Sequence, residues 1–335
     1  EGYPHKRIER KMSALHFRTF ENENDYPLLL EINLNSRQAD NDYVMITQED
    51  IAYAFAHMDG LTPTEGVVIA SLPNSPDMAV GYSRLGWYSS HPDNCLYYQV
   101  SFLRQEYRAS HYWPLMVAQN ENLLRQIAAR HPAVPQRFFQ AWASDNQVDW
   151  MSVLENAGYQ AVRRFNNMLY QLNEVPHIPL PADFDIRSVE SQHMHCIWEA
   201  QREMNAGLFE NVAEDWLEEK YPAWLEDASH TPHLWQVAWV GDQLAGMVLT
   251  RIDPQENEAL QRKRGYTEHI YVRPPWRQRG LASALIARSL QVLQAQGMAE
   301  AELGVDAENE SAAFKLYQSL GYQTFSVDTW FRKAM

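Results

Sequence analysis

The chain repeats itself. Phe17-Arg18 lies in an alternating segment, LHFRTF, and Ile186-Arg187 lies in another, FDIRSV, at an offset of 169. Arg108 follows the strand-like run YYQVSFL and an aromatic, Tyr107. Arg277 follows EHIYV and an aromatic, Trp276, again at an offset of 169. Later, Asn146 precedes VLENAGYQ and Asn309 precedes LYQSLGYQ. Gly158 then matches Gly321 and Tyr159 matches Tyr322, all at an offset of 163. Two constant offsets separated by one length change are what a duplication with one insertion or deletion produces; chance matches scatter. With 335 residues the chain is long enough for two domains of ordinary size, and the repeat requires both to be built alike.

Each repeat opens with a strand (Leu15 to Phe20; Phe184 to Val189) and continues with helical segments. Two strands follow, then a fourth strand that runs into a turn and a long helix. A fifth strand, a helix and a hairpin close it. This order predicts the α/β class: in each half a mixed, mostly antiparallel sheet flanked by helices. The segment NEVPHIPLPADF carries Pro176, Pro179 and Pro181, which no helix accommodates. It is read as a linker over 174–183, between a first domain at 13–173 and a second at 184–335.

Composition excludes several classes. Lys and Arg total 28 against 43 Asp and Glu, a net charge of -15. A general nucleic-acid binder needs a basic face. Two cysteines, Cys95 and Cys196, are too few for a disulfide framework and point to a reducing compartment. No apolar run approaches the roughly 20 residues of a membrane span, and the charged start EGYPHKRIERKM lacks the apolar stretch of a secretory signal. The expectation is a cytoplasmic protein that meets neither membrane nor nucleic acid. No His, Cys or Asp spacing suggests a metal site.

One turn carries a chemical signal. In VRPPWRQRGLAS, Pro274 and Pro275 end a strand, and an amphipathic helix begins by Ser283 with Leu285, Ile286, Leu290 and Leu293 at helical spacing. A glycine turn at a helix N-terminus after a strand suits a phosphate: N–H groups and the helix dipole favour an anion, and Gly280 lets backbone approach closely. Arg262, Lys263, Arg264, Arg273, Arg277 and Arg279 lie nearby, with Glu268 the one acid between them. The plain alternative is an arginine-rich surface turn.

Two motifs favour the first reading. Arg-x-x-Gly-x-Ala at Arg277 to Ala282, followed about 30 residues later by NESAAFKLYQSLGY from Asn309, resembles the GCN5-related N-acetyltransferase (GNAT) family. The resemblance covers Phe184 to Lys333 and, weakly, the first half. The ending YQSLGYQTFSVDTWF is also similar to mycothiol synthase, a tandem GNAT enzyme whose C-terminal copy does the chemistry.

The resemblance implies two tandem GNAT-fold domains, acetyl-CoA or another acyl-CoA as co-substrate, and a small-molecule amine as acceptor. It implies an N-acetyltransferase in which the amine attacks the thioester directly, with no metal. Arg277, Gln278, Arg279, Gly280, Leu281, Ala282 and Ser283 would cradle the pyrophosphate. Ile270, Tyr271 and Val272 would clamp the thioester arm, and Asn309 would bond the cofactor, or else cap a helix. Tyr317 stands where the family keeps its general acid. Glu268 is the base candidate, or else an ion-pair partner. By strand alternation it shares a face with Ile270 and Val272, and His269 is sent to the opposite face.

The first repeat serves as an internal control. By the 169 offset Glu268 falls on Gln99, Gly280 on His111 and Ala282 on Trp113; by the 163 offset Tyr317 falls on Leu154. The first copy therefore lacks base and acid, with bulky groups at the phosphate turn, and is expected to be degenerate. Residues 191–227 lie where the family builds its acceptor pocket. They carry Glu199, Glu203, Glu210, Glu214, Asp215, Glu218, Glu219, Glu226 and Asp227 among Trp198, Trp216 and Trp224. They read as an acidic aromatic mouth for a cationic amine, or as a solvated helix face over core tryptophans.

Overall fold

The predicted order of strands and helices is found in the computed structural model, except that one long strand rather than a hairpin closes each repeat; the structure describes residues 14–42, 46–91, 93–109, 111–206, 218–227, 230–307 and 312–335. Contacts divide the chain into two units, Glu1–Gln160 with Phe331–Met335, and Ala161–Trp330.

The first unit contains β1 (His16–Thr19), α1 (Tyr26–Ala39), α2 (Gln48–Ala56), α3 (Pro63–Gly66), β2 (Val67–Leu72), β3 (Ser75–His91), β4 (Asn94–Leu103), α4 (Tyr112–Ala128), β5 (Gln136–Ser144) and α5 (Val148–Asn156). Its strands lie in the order β1-β2-β3-β4-β5. All pairs are antiparallel except β4 with β5. One face carries α1 and α2, whose Leu29, Ile32, Ile51 and Phe55 pack on Val67, Ile69 and Tyr82. The other carries α4, whose Trp113, Met116, Val117 and Leu124 pack with Val80, Leu85, Tyr97 and Phe139.

The strand β6 (Gln160–Gln171) closes the first repeat in sequence yet pairs with β11 (Glu300–Asp306). The second unit continues with β7 (Asp185–Ile186), α6 (Met194–Ala206), α7 (Tyr221–Leu225), β8 (Gln236–Val240), β9 (Gln243–Ile252), α8 (Pro254–Ala259), β10 (Arg264–Val272), α9 (Leu281–Ala295), then β11, α10 (Ala312–Leu320) and β12 (Gln323–Ala334). Its order is β12-β6-β11-β10-β9-β8-β7. The contact boundary thus falls at the first residue of β6, whereas sequence composition points to the prolines. The reason is packing. Met168, Tyr170 and Leu172 bury themselves in the second core, and Arg163 pairs with Asp306 at 2.6 Å. The proline-rich segment is extended as expected and lies along α9: Val175 and Leu180 join that core, and Gln291 donates to the Pro176 carbonyl at 3.1 Å.

Helix α9 organises the second unit. Leu281, Leu285, Ile286, Leu290 and Leu293 are all buried, each contributing about 1.5–3 kcal/mol of burial. Gly265 makes the close approach to β10 feasible, because a Cβ there would stand 2.2 Å from Leu293 Cδ2. The opposite face is covered by α6, over Trp235, Val237, Met247 and Leu249.

Candidate active site

Strands β10 and β11 start parallel and then part. Arg264, Gly265 and Tyr266 pair with Glu300, Ala301 and Glu302, and the ladder ends there. Arg264 holds the closed end, bridging Glu300 at 3.0 Å and Glu302 at 2.6 Å. Just past the last rung, the Thr267 hydroxyl meets the Tyr322 hydroxyl at 2.8 Å. From Thr267 to Val272, β10 keeps its partner β9 but not β11. The candidate clamp, Ile270, Tyr271 and Val272, lies in this opened stretch, so its backbone can pair with something other than a strand.

The opened strand also bulges. Glu268 pairs with Leu249 but Tyr271 pairs with Met247, so three steps on β10 oppose two on β9. His269 absorbs the extra residue in the left-handed region, with φ +47°. That conformation costs a side-chain-bearing residue about 1–2 kcal/mol, although histidine is among the types that accept it. The bulge overturns the alternation argument. Glu268 lies on the face of its partner Leu249, which belongs with Met247 and Tyr271 to the α6-side core. Ile270 and Val272 pack on the α9 side. Glu268 therefore does not share their face, and His269 is not sent away from it.

Both Glu268 and His269 line one cavity of about 270 Å³, together with Gln201, Trp224, Asp227, His230, Trp235, Leu249 and Arg251. Its walls are aromatic: the His230 ring lies 4.5 Å from Trp224 and 5.4 Å from Trp235. The Glu268 carboxylate accepts from Arg251 Nη2 at 3.3 Å and Nε at 3.4 Å. Burial pushes the His269 imidazole below the ordinary histidine range; Glu268 opposes that shift and His230 adds to it. Burial also lowers His230, against Asp227. Gln201 is 2% exposed, and its Nε2 has no partner among the described residues. Sequence reasoning missed Gln201, His230, Trp235 and Arg251, whose sequence positions give no hint that they meet.

The predicted phosphate turn has the expected backbone. Gly280 caps α9 with φ +79°, Gln278 is also left-handed at +60°, and a Cβ on Gly280 would meet nothing within 4 Å. Leu281 buries its side chain, while Ala282 and Ser283 lie in the first turn of the helix. Half of the basic cluster, however, is spent on acids. Arg262 pairs with Glu256 at 2.8 Å, Arg264 with two glutamates, and Arg273 with Glu203 at 2.9 Å. Arg277 donates to the Val272 carbonyl at 2.9 Å, tying the turn to the end of the clamp. Arg279 is half-exposed, 3.8 Å from Asp183. Those two are the arginines placed for an anion.

Tyr317 is 7% exposed on α10, its ring 6.1 Å from that of Tyr322. Burial pushes its hydroxyl up to about 12, so it holds its proton at neutral pH. Asn309 lies outside the described residues, as do Glu210, Glu214, Asp215 and Trp216. Of the remaining acceptor-segment residues, Asp227 and Trp224 reach the cavity. Glu203 is bound to Arg273, Glu218 to His195 at 2.8 Å, and Trp198 is buried. Among the described residues no group of three His, Cys, Asp or Glu side chains is arranged to hold a metal, and no helix is long and apolar enough to cross a membrane.

The first unit repeats the scaffold without the site. Strand β4 pairs with β5 only as far as Tyr98, and Gln99 donates to the Tyr159 hydroxyl at 2.8 Å. Those rungs match Tyr266 and Thr267, an offset of 168, so Gln99 corresponds to Thr267 and Glu268 to Val100. The 169 offset was one residue out at this point because of the bulge, and β4 has none from Gly81 to Ser89 against β3. Helix α4 is capped by His111 at φ -80°. Trp113 does not cover the turn, as its sequence position suggested; it is buried, its ring 4.7 Å from Trp150. Leu154, opposite Tyr317, is fully buried core.

Against known proteins, residues 195–322 match the Acetyltransferase (GNAT) family. A protein of Renibacterium salmoninarum named mycothiol acetyltransferase is 26% identical over 206 residues, 57% of this chain and 56% of that protein. The chain thus spans about half the length of this curated relative. Among solved structures, a GCN5-related N-acetyltransferase from Sphaerobacter thermophilus superposes with a TM-score of 0.70 at 22% identity, covering 96% of this chain and 95% of the other. A tandem GNAT protein from the clavulanic acid biosynthesis pathway gives 0.65 at 12% identity, covering 96% and 98%. These two likenesses bear on fold.

Proposed function

We propose, from the match of residues 195–322 to the acetyltransferase (GNAT) family, that this chain transfers an acetyl or short acyl group from acyl-CoA to the primary amine of a small molecule. The amine attacks directly in a ternary complex, and the second unit does the chemistry. One observation carries the reading: β10 parts from β11 after Tyr266, and its opened stretch leads through a short turn to a glycine-capped helix N-terminus. An extended thioester arm needs unpaired strand backbone, and its pyrophosphate needs clustered N–H groups one turn away.

The roles follow from position. Backbone from Arg277 to Ser283 receives the pyrophosphate, with Arg277 and Arg279 adding charge. Backbone of Ile270, Tyr271 and Val272 pairs with the arm, and one N–H polarises the thioester carbonyl. The amine enters the Trp-lined cavity, where Glu268 and Asp227 favour a cation. Tyr317, protonated at neutral pH, donates to the departing thiolate. The first unit has no acid at Leu154, no carboxylate at Val100 and no glycine turn, and serves as structure. Free thiols at Cys95 and Cys196 suit a cytoplasmic setting.

The test is release of free CoA from acetyl-CoA with benzylamine, ethanolamine, spermidine and glycine in turn. Turnover with any of them supports the reading. Tight acetyl-CoA binding with no release from any amine makes the chain an acyl-CoA binder instead. A mycothiol-type acceptor is the second reading, favoured by the named Renibacterium relative, and that amine extends the panel.

A further inference from the structure

We infer that His269, rather than Glu268, takes the proton from the acceptor amine, and that the β10 bulge brings its imidazole into the cavity beside Glu268. This rests on the acetyltransferase reading above and assigns one of its proton transfers.

Three observations converge on it. On a regular strand, neighbouring residues face opposite sides, so a cavity reached by Glu268 could not also be lined by His269. It is lined by both, because two residues of β10 oppose one of β9 and His269 takes up a left-handed backbone. Bulges recur beside active sites, where they re-aim a side chain. The matching strand of the first unit, which lacks the acid and the phosphate turn, runs without one from Cys95 to Leu103. The strained residue is thus present where the chemistry is and absent where it is not.

Secondly, the Glu268 carboxylate is engaged. Both of its oxygens accept from Arg251, and Arg251 is itself laid over the Tyr266 ring at 4.3 Å. The ion pair orients Glu268 and takes one acceptor site on each of its oxygens. Thirdly, the His269 ring nitrogens make no hydrogen bond among the described residues, leaving a lone pair for the amine. The charged and titratable groups around it are Glu268 on its own strand, Arg251 on β9, and Asp227 and His230 from the segment before β8. Burial and His230 keep the imidazole neutral at pH 7, and Glu268 works the other way.

The step balances simply. The lone pair of neutral imidazole forms an N–H bond with a proton of R–NH3⁺, and the freed amine lone pair bonds to the thioester carbon. The C–S bond then breaks, its electrons leaving with sulfur. The second amine proton compensates the thiolate through Tyr317, and the imidazolium returns its proton to water. The sum is acetyl amide, CoA thiol and one proton released. Glu268 is a positioning residue: its charge stabilises the imidazolium as it forms.

The experiment uses the full chain, acetyl-CoA, and whichever amine of the four-member panel releases CoA fastest from wild type. CoA release is followed from pH 5 to 9 for wild type, His269→Gly, His269→Asn and Glu268→Gln. Glycine and asparagine both accept the left-handed backbone, and circular dichroism confirms that each variant is folded. Wild type should show an acidic limb below pH 6.5. Both His269 variants should lose about 100-fold in kcat and the limb itself, and added imidazole should restore His269→Gly at least tenfold. Glu268→Gln should keep the limb but move it to lower pH. Activity of both His269 variants within threefold of wild type overturns the assignment. So does a limb that survives in them and vanishes in Glu268→Gln. If no amine releases CoA from wild type, the acetyltransferase reading falls, and this assignment with it.

Discussion

Gly280 and Gly297 share one backbone conformation. Each has φ +79°, and a Cβ on either would meet nothing within 4 Å. They flank the same helix: Gly280 caps the N-terminus of α9, and Gly297 follows its C-terminal cap. Alanine at either position meets no clash, so the cost to folding is that of a left-handed alanine, about 1–2 kcal/mol. Loss of glycine freedom in the unfolded chain offsets about 0.4–1 kcal/mol of it. A net destabilisation of about 1 kcal/mol is expected for both Gly280→Ala and Gly297→Ala, read from urea unfolding midpoints. Acetyl-CoA affinity should separate them. Only at Gly280 does the new methyl occupy the space through which a pyrophosphate reaches the turn's N–H groups. Calorimetric titration should show Kd raised at least tenfold, about 1.4 kcal/mol, for Gly280→Ala, and within twofold of wild type for Gly297→Ala. Equal affinity for acetyl-CoA in the two variants would refute the placing of the pyrophosphate.

Further outcomes test the rest of the site. Tyr317→Phe should lower kcat about 100-fold with acetyl-CoA affinity within twofold. Because burial pushes its hydroxyl up to about 12, Tyr317 should add no alkaline limb to the rate profile below pH 10. Acid should weaken the fold through His269 and His230, both lowered by burial. The unfolded chain binds their protons near pH 6.5 and the native one does not, so stability is intact above that pH and falls as pH drops toward their native values. His269→Asn should flatten the dependence of Tm on pH between 7 and 5. Arg264→Ala, which strands Glu300 and Glu302 at the closed end of the strand fork, should cost about 2–3 kcal/mol in urea unfolding.

Much of the site was legible because it depends on local chain chemistry. A glycine after two prolines and before an amphipathic run marks a strand, a turn and a helix N-terminus, and all three are present from Val272 to Ser283. The helix that carries Tyr317 was legible from its motif, and the first repeat's differences from comparison with the second. The basic stretch misled, because counting charges along the chain ignores acids that fold brings near. Glu203, Glu256, Glu300 and Glu302 neutralise three of the six basic residues. Trp113 misled in the same way: a side chain's direction belongs to packing, and the first turn of α4 turns this one toward Trp150.

By itself the sequence determined that the chain is a duplication, that each copy alternates strands and helices in one order, and that the second copy alone carries the glycine turn and Tyr317. Constant offsets survive any packing, and turn chemistry is a property of neighbouring residues. Tertiary structure decided which side chains share the cavity. Alternation along β10 assumes an unbroken pleat, and the pleat breaks at His269 because the register between β9 and β10 shifts by one residue there. Register is a relation between two strands, so neither strand's sequence states it. That single extra residue moves Glu268 off the face of Ile270 and Val272, and brings His269 to the wall beside it.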